Sequence, residues 1–321
     1  MIEIVKYKNN MNCEWDSFID TSINGTIFHR RSFLSYHIDR KFEDASLIFK
    51  KRGQIISVFP AAITKESNKR VLFSHPGASF GSLVYDSLLS FKDSMNIVSL
   101  LKKYAYENKF NIIRATLPPI IYSALPSDYF EFCLLSAGGY YEKSEMSSVL
   151  NLGLSADRVE ENIKSSHKQA KRKAERNGIM VKQSNDYDKY YSILANNLEL
   201  RHGVSPTHSL EELKKIVKLF PDKVFLHTAH YNKKMIAGIL NFICNKKTLL
   251  AFYICHNYNF QDLRPLNLIF FDIFNWAIKR KYQYYDLGIF TINERPNYGL
   301  ARFKENFGAC GFFRKTLRID I

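Results

Sequence analysis

The stretch Leu249–Gly288, LLAFYICHNYNFQDLRPLNLIFFDIFNWAIKRKYQYYDLG, most constrains the fold of this chain. It reads as strand, loop, helix, strand. Leu249–Ile254 is apolar and aromatic, as a buried strand is. Pro265 suits the first turn of a helix, where a missing N–H costs nothing. Leu266, Ile269, Phe270, Ile273, Phe274, Ala277 and Ile278 then recur at helical spacing, which defines one face. Leu268 and Phe271 widen it, so the helix is expected to be buried over most of its girth. Lys279, Arg280 and Lys281 place cations at the negative end of its dipole. Tyr284–Ile289 supplies a second strand through Asp-Leu-Gly. A loop that feeds a buried helix N-terminus from a strand end is a place to hold an anion.

The rest of the chain repeats this script. At 321 residues, 46% of them hydrophobic, it has the material for two domains with real cores. Trp15, Phe18 and Ile19 lie at helical spacing. Ala45–Lys50 and Gln54–Thr64 form a hairpin, Arg70–Ser74 a further strand, Phe91–Asn108 a long helix, and Asn111–Thr116 a strand. Ser127–Ala137 reads as a helix and Ser147–Leu152 as a strand. The second half opens on a basic helix, Asp157–Asn177. Helices follow at Asp186–Glu199 and at Ser209–Leu219, the latter begun by a Ser209/Glu212 capping box. Three strands, Val224–Tyr231, Ile236–Cys244 and Thr248–Ile254, are joined by turn-length links. After the central helix and the Asp-Leu-Gly strand come a short helix around Leu300–Asn306 and a strand near Phe312–Ile319. The halves share an order at a spacing of about 170 residues, which is domain-sized and not solenoid-sized. A duplicated α/β (α+β) module is expected, divided as 1–145 and 146–321.

Charge and cysteine usage bound the function. Lys and Arg exceed Asp and Glu by 46 to 31, a net charge of +15, which favours anionic partners such as phosphorylated co-substrates, nucleic acid or an anionic membrane face. Five dispersed cysteines have no metal-ligand spacing and fit reduced thiols. No run reaches the roughly 18 apolar residues of a membrane span, and the N-terminus has no signal core. A cytoplasmic protein with no metal and no transmembrane segment is expected.

HKQAKRKAERNGI, ELRHG, the Pro-Leu-Asn helix start, YDLG and LARFKENFG occur in that order over residues 160–310. Together they resemble landmarks of the FemAB-like branch of the GNAT acyltransferase superfamily. NGTIFHRRSFLSYH and SHPGASFGSLV resemble its polysaccharide-associated subgroup. The resemblance implies two tandem GNAT-like domains, each a mixed, mostly antiparallel sheet flanked by helices, with the first on the acceptor side. Two departures stand out: no long inserted coiled coil, and no glycine-rich phosphate signature in the loop HNYNFQDLR.

The resemblance implies acyl transfer to an amine. That reaction needs an activated carbonyl beside the amine, a path for a proton and stabilisation of an oxyanion. Lys304, which the motif places beside the acyl donor, and Asp286, at the end of the central strand, are the expected catalytic groups. His202 is a candidate base, because the unperturbed pKa of a histidine lies near neutrality. Taken alone, a helix lysine is ordinarily a solvated surface group, and an Asp before Leu-Gly a turn former. Arg264, Leu266, Asn267 and Phe303 are expected at the cofactor; His75, Gly77, Arg201 and Tyr253 at the acceptor. Arg201 and His202 are read as loop residues. The small residues of Gly77–Gly81 allow close approach of the backbone to a ligand. The expected activity is N-acyl transfer from acyl-CoA, or an acyl carrier protein, to the amine of a nucleotide-linked sugar or other bacterial cell-envelope precursor. The alternatives are aminoacyl-tRNA-dependent transfer to a peptidoglycan precursor, and a non-catalytic module that binds anions or nucleic acid.

Overall fold

A computed structural model describes residues 1–86 and 89–321; the side chains of Arg201 and His202 also lie outside the described residues. It comprises two compact units, Met1–Met146 with Phe312–Ile321, and Ser147–Gly311. Both are α/β, with mostly antiparallel strands flanked by helices, as the sequence predicts.

In the first unit, Ile2–Lys6, Leu47–Lys51, Gln54–Phe59 and Val84–Tyr85 pair antiparallel in that order. A second run joins Glu43–Asp44, Ala62–Glu66, Lys69–Ser74, Ile112–Thr116 and the terminal strand Cys310–Asp320. Lys69–Ser74 and Ile112–Thr116 are parallel, as a helical crossover requires. That crossover is Phe91–Glu107, started by Ser90, whose Oγ accepts from the Asp93 N–H. It buries Ile97, Val98, Leu101 and Ala105 in a core with Leu47, Phe59, Leu72 and Ile113. The strand expected over Gln54–Thr64 is interrupted after Phe59, where Pro60 has no N–H to give a ladder.

In the second unit, Met180–Ser184, Val224–Tyr231, Lys234–Ile243 and Thr248–His256 run antiparallel. Asn232 and Lys233 link two of these strands at φ 47° and 64°, the positive-φ pair of a two-residue hairpin turn. Thr248–His256 then runs parallel to Tyr284–Ile289. The central helix Pro265–Lys279 connects them and buries Pro265, Asn267, Ile269, Phe270, Phe271, Ile273, Phe274 and Ala277. The broad burial follows from cover on two sides. The sheet packs on one, and helix Ser165–Arg176 on the other, with Lys171 Nζ 5.0 Å from the Phe271 ring centroid.

Three further expectations change. The basic helix is two helices, Ala156–Asn162 and Ser165–Arg176. Ile163 and Lys164 between them are extended, because Ile163 is buried and the Lys164 N–H donates to Asn306 O at 2.9 Å. Arg201 and His202 fall in the last turn of helix Tyr187–His202, not in a loop; the helix continues until Gly203 ends it at φ +62°. The terminal residues, expected with the second domain, group with the first unit, because Thr316–Asp320 pairs with Ile112–Thr116.

Candidate active site

The parallel pairing in the second unit is short. It matches Thr248, Leu249 and Leu250 to Tyr284, Tyr285 and Asp286 and ends there, although the strands continue to His256 and Ile289. Strands that part after pairing leave backbone donors and acceptors without a ladder, and these need other partners. Side chains supply several. Lys304, on helix Tyr298–Glu305, donates its ammonium to Gly288 O at 2.8 Å and Ile289 O at 2.9 Å. Asp286 Oδ1 accepts from Gly288 N–H at 2.8 Å and from Ser147 Oγ at 2.6 Å. Tyr190 Oη donates to Tyr253 O, and Asn197 Nδ2 to His256 O, both at 2.9 Å.

Lys304 and Asp286, both expected from the sequence, therefore meet at Gly288, one holding its carbonyl and the other its amide. Both are buried, at 3% and 0% exposure, so Lys304 is not the solvated helix lysine its position alone suggests. Gly288 has φ +79°, and a Cβ there would lie 3.7 Å from Ala251 O and 3.8 Å from Lys304 Nζ. That brings the two parted strands and the ammonium to one point. A positive charge held at the ends of parted strands is the kind of fixed field that an oxyanion site uses.

On strand Thr248–His256 the pairing skips Phe252, a bulge opposite Leu240 and Asn241. Beside it, the Tyr253 hydroxyl lies 2.8 Å from His208 Nδ1, and Tyr191 Oη donates to His208 O at 3.0 Å. Burial raises the Tyr253 pKa, and hydrogen bonds from Thr207 and His208 oppose that shift. Tyr190 fits because Gly238 has no side chain; a Cβ there would sit 2.6 Å from the Tyr190 ring. His208, Tyr190, Asn197 and Ser147 were not singled out in the sequence. Only His208 had a local signal, as it immediately precedes the Ser209/Glu212 capping box.

At the start of the central helix, Arg264 is exposed, occupies the N-cap at φ 59°, and makes no side-chain cap. Helix Ser165–Arg176 also starts on a cation, Lys164, without a side-chain cap. The two helices begin at the same end. His167 feels the Arg264 charge, which adds to burial in lowering its pKa, and one turn on Lys171 lies over Phe271. Cations at two positive helix ends repel the dipoles, and uncapped N–H groups point outward. Asn267, in the first turn, is 4% exposed, and its Nδ2 has no hydrogen-bond partner among the described residues. Leu266 and Phe303 are half-buried and pack on the core. The Phe303 carbonyl is 3.0 Å from His167 Nε2, which ties helix Tyr298–Glu305 to helix Ser165–Arg176.

His75 and Gly77 lie in the first unit, and there the close approach is to the protein's own atoms. His75 is 5% exposed, and Gly77 N–H is 3.3 Å from its Nδ1. The Phe42 ring is 5.4 Å from that of His75. A Cβ on Gly77 would lie 2.1 Å from His37 Nε2, and one on Gly81 2.2 Å from the Ser74 carbonyl. Among the described residues no three His, Cys, Asp or Glu side chains converge as metal ligands, and no helix is long and apolar enough to cross a membrane.

The sequence family described as "Acetyltransferase (GNAT) domain" matches residues 161–305, which include the parted strands, the central helix and Lys304. Residues 161–305 are a GNAT-superfamily acyltransferase domain. FemX has the same fold at 12% identity and TM-score 0.75, with 99% of this chain and 97% of that one covered. A tandem GNAT protein from the clavulanic acid biosynthesis pathway matches at 9% identity and TM-score 0.58, covering 100% and 98%. The C-terminal domain of a protein described as a lysylphosphatidylglycerol synthetase from Agrobacterium fabrum matches at 11% and TM-score 0.60, covering 97% and 92%. These likenesses show the fold, which is FemAB-like and tandem-GNAT-like along the chain. No curated protein sequence matches it.

Proposed function

We propose that the GNAT domain transfers an acyl group from a phosphate-bearing thioester, acyl-CoA or an acyl carrier protein, to the amine of a nucleotide-linked sugar or another cell-envelope precursor. The observation that carries this reading is the parted strand pair, with the buried Lys304 ammonium at Gly288 and two uncapped helix starts in the same domain. An extended donor arm would lie along the strand edges as a short added strand, its amides meeting backbone groups. Arg264 and the N–H groups of Leu266 and Asn267 would hold donor phosphate, and the orphaned Asn267 Nδ2 fits an acceptor oxygen there.

The amine nitrogen would attack the thioester carbon and form a tetrahedral oxyanion. The C–S bond would then break, and the proton given up by the amine would reach the leaving sulfur, which departs as the free thiol. Lys304 is assigned to fix the strand carbonyls and to place positive field at the oxyanion. Asp286 positions Gly288 through its amide. Tyr253, oriented by His208, would take part in proton movement on the acceptor side.

A second reading, aminoacyl-tRNA-dependent transfer to a peptidoglycan precursor, is favoured by the near full-length likeness to FemX and by the glycine-free loop Asn257–Arg264. Acetyl-CoA and aminoacyl-tRNA would be offered in parallel to a panel of amino-sugar nucleotides and peptidoglycan precursors. Release of free thiol with an acylated sugar supports the first reading. Ribonuclease-sensitive transfer, with no thiol release, replaces it with the second. Turnover with neither donor across the panel would defeat both.

A further inference from the structure

Helix Phe91–Glu107 has a second apolar face that the core of its unit does not use. Ile97, Val98, Leu101 and Ala105 point inward, yet Phe91, Met95 and Tyr106 are 42%, 39% and 75% exposed. Neighbouring helix Tyr129–Ser136 adds Tyr129 and Phe132, 49% and 55% exposed. The Phe91 ring lies 5.3 Å from that of Tyr129 and 5.8 Å from that of Phe132, so these rings form one cluster. Beside it a groove of about 490 Å³ is lined by Met95, Val98, Lys102, Tyr106, Cys133 and Ile321.

The charges around this face are mixed, with lysines outnumbering acids. Lys92 and Lys103 are exposed, and Lys102 at the groove donates to Ala137 O at 2.7 Å. Asp93 is held by Lys51 at 2.8 Å, and Glu131 by Lys315. Glu107 faces Lys103 at 3.8 Å, and Asp128 is exposed. Most of the acids are thus matched by a cation, on a chain of net charge +15. Exposed Phe and Tyr on a lysine-bearing helix match the chemistry of a bilayer interface, where rings enter the headgroup layer and lysines meet lipid phosphate.

We propose that this face docks the protein on an anionic lipid bilayer, with the aromatic cluster at headgroup depth and a hydrocarbon chain able to enter the groove. It stands apart from the transfer reading, since none of its residues belongs to the GNAT domain. The test is co-sedimentation of the full chain with vesicles of phosphatidylglycerol and phosphatidylcholine, and with phosphatidylcholine alone. Binding is expected only with the anionic vesicles, and is expected to weaken as salt rises. Lys92→Glu with Lys103→Glu, and separately Phe132→Ser with Tyr129→Ser, are each expected to weaken it about tenfold or more, at unchanged melting temperature. If the aromatic pair proves unstable, the lysine pair decides alone. No vesicle binding, equal binding to neutral lipid, or full binding by the lysine variant would overturn the proposal. So would a dimer that Phe132→Ser dissolves in a protein indifferent to vesicles.

Discussion

In the first unit the parallel strands Lys69–Ser74 and Ile112–Thr116 stay paired from Val71–Ile112 to Ser74–Ala115. The chain beyond them then folds back over the junction: Gly81 N–H donates to Thr116 O, and Ser82 N–H to Ser74 Oγ, both at 2.8 Å. In the second unit the equivalent strands separate after Leu250 and Asp286, and side chains satisfy the freed groups. The element order is shared, so topology does not decide which unit holds an open fork. The segment that leaves the first parallel strand decides it. The loop Gly77–Gly81, small residues around the buried Phe80, packs into the gap in one unit; a short helical turn, Tyr258–Leu263, leads straight to the central helix in the other.

The largest expected effect comes from removing the ammonium at the open fork. Lys304→Met should lower kcat by roughly 100- to 1000-fold, the range for losing one preorganised oxyanion donor, with a smaller change in KM. Steady-state kinetics on a purified variant would check it. A fall in melting temperature with kcat unchanged would reduce Lys304 to a strand clip.

Acid should act on the packed loop of the first unit. Burial, reinforced by Arg31 and His37, drives His75 down to about 3, and burial drives His29 to about 4. Unfolded histidines titrate near 6.5. Below that value the unfolded chain takes up protons that the folded chain refuses. Stability is therefore expected to fall as pH drops from about 6.5 towards the folded values, by about 1.4 kcal/mol per pH unit for each residue. His75→Asn should flatten that slope in urea titrations at pH 7 and pH 5 and leave substrate affinity unchanged. A weakened acceptor KM at pH 7 would instead support the place at the acceptor that the sequence expects for His75.

Asp286 separates hydrogen bonding from charge. Asp286→Ala leaves the Gly288 N–H and the Ser147 hydroxyl without their shared acceptor and is expected to cost about 1–3 kcal/mol. Asp286→Asn keeps an acceptor oxygen and should lose much less in denaturant melts. If Asn abolishes turnover at near-native stability, the carboxylate is acting as a base and not as a clip. Gly288→Ala carries a modest penalty, about 1–2 kcal/mol for a side chain at positive φ. Its Cβ would enter the fork between Ala251 O and Lys304 Nζ, so donor KM should rise by more than stability falls.

The elements were legible where periodicity and caps agreed. The central helix was fixed by Pro265 and its apolar repeat, the Ser209 helix by its capping box, and the three antiparallel strands by their turn-length links. Lys304 and Asp286 came from ordered motifs, yet no local pattern showed that they share Gly288, because 16 residues separate the Lys304 ammonium from the Gly288 carbonyl it holds. The Ser147–Asp286 contact, 139 residues apart in sequence, is invisible for the same reason. The two-helix break at Ile163–Lys164 depends on a tertiary bond to Asn306. The loop His75–Ser82 packs on its own unit in a way the sequence does not show, because glycines for packing and glycines for ligand approach look alike there; the Cβ overlaps with His37 and Ser74 give the packing role.

The most direct test of the open fork is amide hydrogen exchange on the full chain, with and without saturating acetyl-CoA or a non-hydrolysable aminoacyl-tRNA analogue. Protection is expected at Ala251–Ile254 and Leu287–Ile289 with whichever donor binds, and none is expected to develop at Ser74–Ser82. Donor-dependent protection at Ser74–Ser82 and Ala115–Thr116, with the second fork unchanged, would contradict the assignment.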